Sequence, residues 1–123
     1  MRIAPGIAAA VAILGWTSLA EAQTFVTQSM AGVTDFMDTA WIISHLDLVV
    51  TTDTSVAHLA GSLGKPVWNL VRFDAMWPWM QESGGTCWYD TMTIYRQPRA
   101  YDWSEPLKWL LAEFDMYTAR MAA

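Results

Sequence analysis

Cysteine is almost absent from this sequence: Cys87 stands alone, which excludes an internal disulfide framework. Histidine is nearly as scarce, and the two His and one Cys are too far apart for a local metal motif, so no metal or cofactor is implied. Basic residues number seven against twelve acidic ones, for a formal net charge of −5. They are also scattered, with Arg72, Arg96 and Arg99 alone between positions 72 and 99. No basic patch is available to neutralise phosphates along a duplex, which argues against a nucleic-acid binder. No repeat or low-complexity stretch occurs beyond an Ala-rich start.

What is present is apolar. Hydrophobic residues make up 54% of the 123 and charged ones 15%, a balance that supports one small packed domain and argues against disorder. Eight Trp is a heavy load for this length. Such side chains suit a core, a sugar-stacking surface or an interface, and composition does not choose among them.

Residues 1–22 have the order of a secretory signal. Arg2 is a short positive end, Ile7 to Trp16 an apolar run too short for a stable anchor, and Ala20-Glu21-Ala22 a small-x-small site. An Ala-rich helix or a misplaced start are the alternative readings. Residues 23–34 are polar and Gly-containing, and read as a linker.

From position 35 the pattern becomes regular. Thr34 or Asp35 can cap a helix from Phe36 to about His45, with Phe36, Ala40 and Ile43 at helical spacing. Leu46 to Val50 reads as a buried strand, broken by Thr51-Thr52-Asp53. Thr54 to Leu63 reads as a helix with the stripe Val56, Leu59, Ala60, Leu63, then Gly64 at the C-cap and Pro66 as a stop. Val67 to Val71 is a second buried strand. Arg72 to Asp90 is loop-like, Thr91 to Tyr95 a third strand, and Glu105 to about Arg120 a final helix. Ser104 is expected to cap that helix, with Leu107, Leu110, Leu111 and Phe114 inward. Helix and strand alternate through short connections, which predicts an α/β fold with a parallel sheet.

In open α/β sheets ligands settle beyond the carboxyl ends of the strands. The turn Thr51-Thr52-Asp53 is there, and the following helix presents N–H groups at Thr54, Ser55 and Val56 with the positive end of its dipole. An anion such as phosphate is favoured at that place. Thr54 and Ser55 add hydroxyls, and His58 lies about one turn along the polar face. Asp53 is itself a good N-cap, however, and a carboxylate over those N–H groups would repel an anionic ligand.

These segments also carry a resemblance. Asp35-Phe36-Met37-Asp38-Thr39-Ala40, Leu46 to Val50, Asp53-Thr54-Ser55-Val56-Ala57-His58-Leu59-Ala60-Gly61 and Leu63-Gly64-Lys65-Pro66-Val67-Trp68 stand in a specific order and spacing. Trp77-Pro78-Trp79, Trp88-Tyr89, Thr91-Met92 and Arg96-Gln97 follow. From about Asp35 to Phe114 the chain resembles the C-terminal domain of heptosyltransferase-type (family 9) glycosyltransferases. The similarity is greatest to bacterial tetratricopeptide-repeat proteins that end in such a domain.

The resemblance implies the C-terminal half of a GT-B donor-binding domain: a partial Rossmann-like parallel sheet over 35–123. It implies a nucleotide-diphosphate sugar as partner, bound by Asp53, Thr54, Ser55, Val56 and His58. Of the aromatic group Trp77, Trp79, Trp88 and Tyr89, Trp77 and Trp79 are sugar-stacking candidates, while at least half of the group is expected to pack the loop against the last helix. Asp53 would bind sugar or hold the turn. It also implies a cytoplasmic location, or a periplasmic or secreted one if the signal-like start is real.

Departures accompany the match. The group's Asp-Trp-Arg-Trp is Met76-Trp77-Pro78-Trp79 here, without its two charges, and a lost arginine can remove a phosphate contact. Cys87 has no triad order around it and stands where the group has proline, so no catalytic residue is assigned. The similarity begins at Asp35, so the acceptor-binding domain and the first donor-domain strands have no counterpart in it. A fragment that binds donor diphosphate without transferring alone is therefore expected, with an unpaired sheet edge and an uncovered apolar face that favour self-association. The alternative is a small exported or non-catalytic binding module.

Overall fold

A computed structural model describes residues 35–75, 77–79 and 84–122. The signal-like segment 1–22 and the linker 23–34 lie outside them. The elements run α1 (Phe36–Ser44), β1 (Val49–Thr52), α2 (Ser55–Ser62), β2 (Val67–Val71), a 3-10 turn (Trp77–Trp79), β3 (Met92–Arg96) and α3 (Ser104–Ala122). The three strands form one parallel sheet in the order β1-β2-β3.

Asp35 is the cap of α1: its Oδ1 accepts from Met37 N at 2.8 Å and Asp38 N at 3.0 Å. β1 starts later than the apolar pattern predicts and continues through Thr51 and Thr52, which pair with Asn69 and Leu70 of β2. Both threonines are β-branched and fit a strand. Leu46 is held back because its N–H closes the end of α1 on Ile43 O at 3.0 Å.

α2 ends in a Schellman motif. Lys65 N donates to Ala60 O at 3.1 Å and Gly64 N to Gly61 O at 3.0 Å, with Gly64 at φ 68°. Leu63, expected in the apolar stripe, is the C-cap and is exposed. β2 has the predicted bounds, and β3 begins one residue later than predicted.

The sheet is covered on both faces. On one side Val49, Val67, Val71, Met92 and Ile94 pack with Val56, Ala57 and Ala60 of α2, Ile43 of α1, and Trp79. On the other side Trp68 meets Tyr95, Phe114 and Tyr117 edge-on, with centroids 5.9, 6.4 and 5.7 Å apart. Leu48, Val50 and Leu110 complete this second cluster. The expected bare face is thus absent, because α3 lies over it.

α3 corrects the sequence reading in detail. Ser104 is its first residue, and Asp102 does the capping through Oδ1, which accepts from Ser104 N at 3.1 Å and Ser104 Oγ at 2.5 Å. Pro106, Leu110, Phe114 and Tyr117 face the sheet, whereas Leu107 and Leu111 are exposed. The contact stripe is one step round the helix from the one the leucines suggest.

β2 returns to β3 through residues 72–91, whose Trp79 packs on the α2 side. Part of this segment shields the outer edge of β3: Ile94 N donates to Gly84 O at 2.8 Å and Met92 N to Tyr89 O at 3.1 Å. The outer edge of β1 has no neighbouring strand among the described residues, and open edges of this kind favour pairing with another chain. No helix among the described residues is long and apolar enough to cross a membrane.

Candidate functional site

β1 delivers the chain to the carboxyl edge of the sheet, where Asp53 and Thr54 turn it into α2. Thr54 is the N-cap, in an extended conformation, and its side chain makes no capping bond. Its Oγ1 lies 3.4 Å from Oγ1 of the buried Thr51. The Thr54 side chain therefore leaves the first-turn N–H groups of α2 uncovered.

Asp53 does not cap the helix. Its Oδ1 accepts from Trp79 Nε1 at 2.7 Å. Trp79 is only 1% exposed, and a buried indole N–H needs an acceptor. This bond resolves the conflict in the sequence, because the carboxylate is engaged away from the helix donors.

His58 sits one turn into α2, half-buried between two aromatic rings. Its Nδ1 lies 2.9 Å from Tyr89 Oη. Its ring centroid is 4.9 Å from that of Trp79 and 5.8 Å from that of Tyr89. When Tyr89 donates to Nδ1, Nε2 carries the proton and is a donor for an anion. Tyr89 reaches this place because residue 61 is glycine: a Cβ there would lie 2.5 Å from Tyr89 Cγ.

The two tryptophans proposed for sugar stacking differ. Trp79 is buried, with His58 and Tyr89 beside it. Trp77 is 62% exposed and meets Trp88 edge-on at 5.2 Å. Only Trp77 keeps a ring open to a ligand.

This corner, from α1 to the end of β2, coincides with the outcome of comparison with known proteins. The sequence model of glycosyltransferase family 9 (heptosyltransferase) matches residues 2–72, more than half of the chain. The protein belongs to glycosyltransferase family 9. No curated protein and no solved structure matches it. The family 9 match takes in residues 2–34, which the sequence pattern alone assigns to a signal-like segment and a linker. It stops short of Trp77 to Phe114, where the sequence resemblance continues.

Family 9 membership and the parallel sheet agree with a partial Rossmann-like GT-B domain. Around the family 9 corner the structure adds groups that local pattern does not single out. Asn69 and Arg96 stand on the α2 face of β2 and β3, and among the described residues their buried Oδ1 and Nη2 atoms have no hydrogen-bond partner. Asn69 Nδ2 donates to Met92 Sδ at 3.7 Å. A buried guanidinium nitrogen with no acceptor favours a nearby anion. The signal for it was a charged residue at a position alternating with Met92 and Ile94 on a buried strand face.

Beyond the same strand ends lies a pocket of about 620 Å³, bordered by Arg72, Phe73 and Asp74 after β2, Gln97 after β3, and Tyr101 and Trp103 before α3. Among the described residues no cluster of His, Cys, Asp or Glu is suited to a metal ion. Cys87 is exposed.

Proposed function

We propose that this family 9 chain binds the diphosphate of a nucleotide-sugar donor at the N-terminus of α2. The observation that carries the reading is the Asp53–Trp79 hydrogen bond: it leaves the α2 N–H groups without a competing carboxylate. Ser55 and Val56 supply backbone donors, the Thr54 and Ser55 hydroxyls add more, and His58 gives a side-chain contact through Nε2. Asp53 keeps its second oxygen for a sugar hydroxyl, and Trp77 offers its exposed ring to the sugar. Arg96, on the same sheet face, supplies positive charge to the phosphates.

These residues form one wall of a transfer site. Transfer needs an acceptor hydroxyl held against the donor as well, and the described residues account for donor contacts. We place it with the C-terminal, donor-binding halves of family 9 enzymes, on the side of the repeat-bearing group that the 77–97 stretch resembles.

Calorimetric titration with nucleoside diphosphates and their sugars tests the reading, with saturable heat expected. Ser55 is the first residue of α2, where proline is tolerated, and Thr54 before it is already extended as a pre-proline residue must be. Ser55→Pro thus deletes one N–H and one hydroxyl with the helix intact, and a weaker diphosphate affinity is expected. No heat with any nucleotide would sink the proposal.

A further inference from the structure

We infer that α3 is a dimerisation helix, and that a strip of its surface pairs antiparallel with the same strip of a second copy of this chain.

The strip is written in the spacing of its residues. Leu107, Leu111, Phe114, Thr118 and Met121 recur at intervals of four, three, four and three, the alternation that keeps one seam of a helix facing a partner helix. No position of the seam is charged. It adjoins the stripe on the sheet without coinciding with it. Pro106, Leu110 and Tyr117 face the sheet, whereas Leu107, Leu111 and Met121 are 43%, 59% and 40% exposed. Phe114 belongs to both, since its half-buried ring meets Trp68 edge-on. Thr118 is no obstacle: its hydroxyl lies 3.0 Å from the carbonyl oxygens of Phe114 and Asp115, which leaves the methyl for a neighbour. Trp109 and Met116 are exposed too, but on the far side of α3 and a full two turns apart.

Two heptads are too short to hold free peptides together. α3 is already folded against the sheet, so pairing does not have to order it.

The flanks of the seam select the occupant. Lys108 and Asp115 stand on its outer side, seven residues apart and both exposed. Among the described residues neither is in an ion pair. When a second α3 runs antiparallel, with Leu111 of one copy on Phe114 of the other, Lys108 of each copy falls beside Asp115 of the other. The twofold axis makes that pair twice. A parallel partner would set Asp115 beside Leu110, on the side that the sheet covers, and leave the charges apart. The strip is thus complementary to itself in one orientation. Two copies of a seam about 22 Å long bury on the order of 1,000 Å², the lower end for specific interfaces, so dissociation in the micromolar range is expected.

Dimerisation is independent of the diphosphate reading, because it is read as mass and not as ligand binding. Sedimentation equilibrium on the full chain across micromolar concentrations should give a mass rising from 13.8 kDa towards twice that value. Leu111→Glu, at a position exposed in the monomer, should raise the dissociation constant at least about tenfold with the circular dichroism unchanged. Lys108→Glu and Asp115→Lys should each raise it roughly three- to tenfold, and combining them should return it to the parent value.

Three results overturn the inference. One is a chain that stays monomeric throughout, as when residues 1–34 or a different protein take the seam. Another is a dimer indifferent to Leu111→Glu, which moves the contact to another surface such as the β1 edge. The third is a double variant no closer to the parent than its two singles.

Discussion

Asp53 and Trp79, 26 residues apart, are joined by a 2.7 Å bond from the indole N–H to the carboxylate. The bond anchors the 3-10 turn to the end of β1 and at the same time keeps the acid off the α2 N-terminus. Asp53→Ala should cost about 1–3 kcal/mol, the penalty for a buried donor left unpaired. Asp53→Asn retains an acceptor and should lose less than half of that. Urea unfolding of the two variants measures the difference.

Tyr89 and His58 give a second test. Tyr89→Phe keeps the ring packed over Gly61 but removes the partner of His58 Nδ1. Stability should change by about 1 kcal/mol or less, and nucleoside diphosphate affinity should fall about fivefold as the imidazole loses its fixed orientation. Calorimetry on both proteins decides it. Unchanged affinity would assign His58 to packing alone.

Arg96 should show stability and binding moving in opposite directions. Its buried Nη2 lacks a partner among the described residues, so Arg96→Met removes an unsatisfied donor while keeping an unbranched chain of similar length. The variant should be more stable by roughly 1 kcal/mol and bind diphosphates less tightly. A loss of stability would mean that the arginine stem packs better than methionine can.

The opposite face of the sheet predicts an alkaline response. Burial, with the hydrogen bond to Glu113 and its negative charge, pushes the Tyr95 hydroxyl well above the ordinary tyrosine range. Tyr117 is raised as well, by burial first and then by Asp47. The folded chain therefore holds protons that the unfolded chain releases near pH 10. The stability of these groups is fully present below that pH and declines as pH rises through it. Thermal melts between pH 8 and 11 should show the decline, and Tyr95→Phe should reduce it.

Periodicity and end signals made much of the fold legible. β2 is a run of buried strand residues between Pro66 and a charged loop, and it lies where the pattern put it. α2 is marked by Gly64 and Pro66. β1 was displaced because threonine reads as a turn residue beside aspartate, whereas the pairing partner on β2 settles the matter in space. α3 misled through its leucines, since the stripe that packs includes a proline and a tyrosine.

Position along the chain located Asp53 to His58, yet their partners come from 26 and 31 residues downstream. No local spacing connects Trp79 or Tyr89 to that corner. Gln97 was hidden for another reason: a polar residue after a strand reads as solvated until the loop that buries it is known.

The glycine at position 61 has a consequence for altering the corner. The clearance between α2 and the Tyr89 ring is smaller than one methyl group, so Gly61→Ala would wedge the ring outward and carry the phenolic oxygen with it. His58 would lose its partner although nothing near its own side chain had changed. The alignment of the histidine is thus gauged from behind, by how deeply a ring seats against bare backbone.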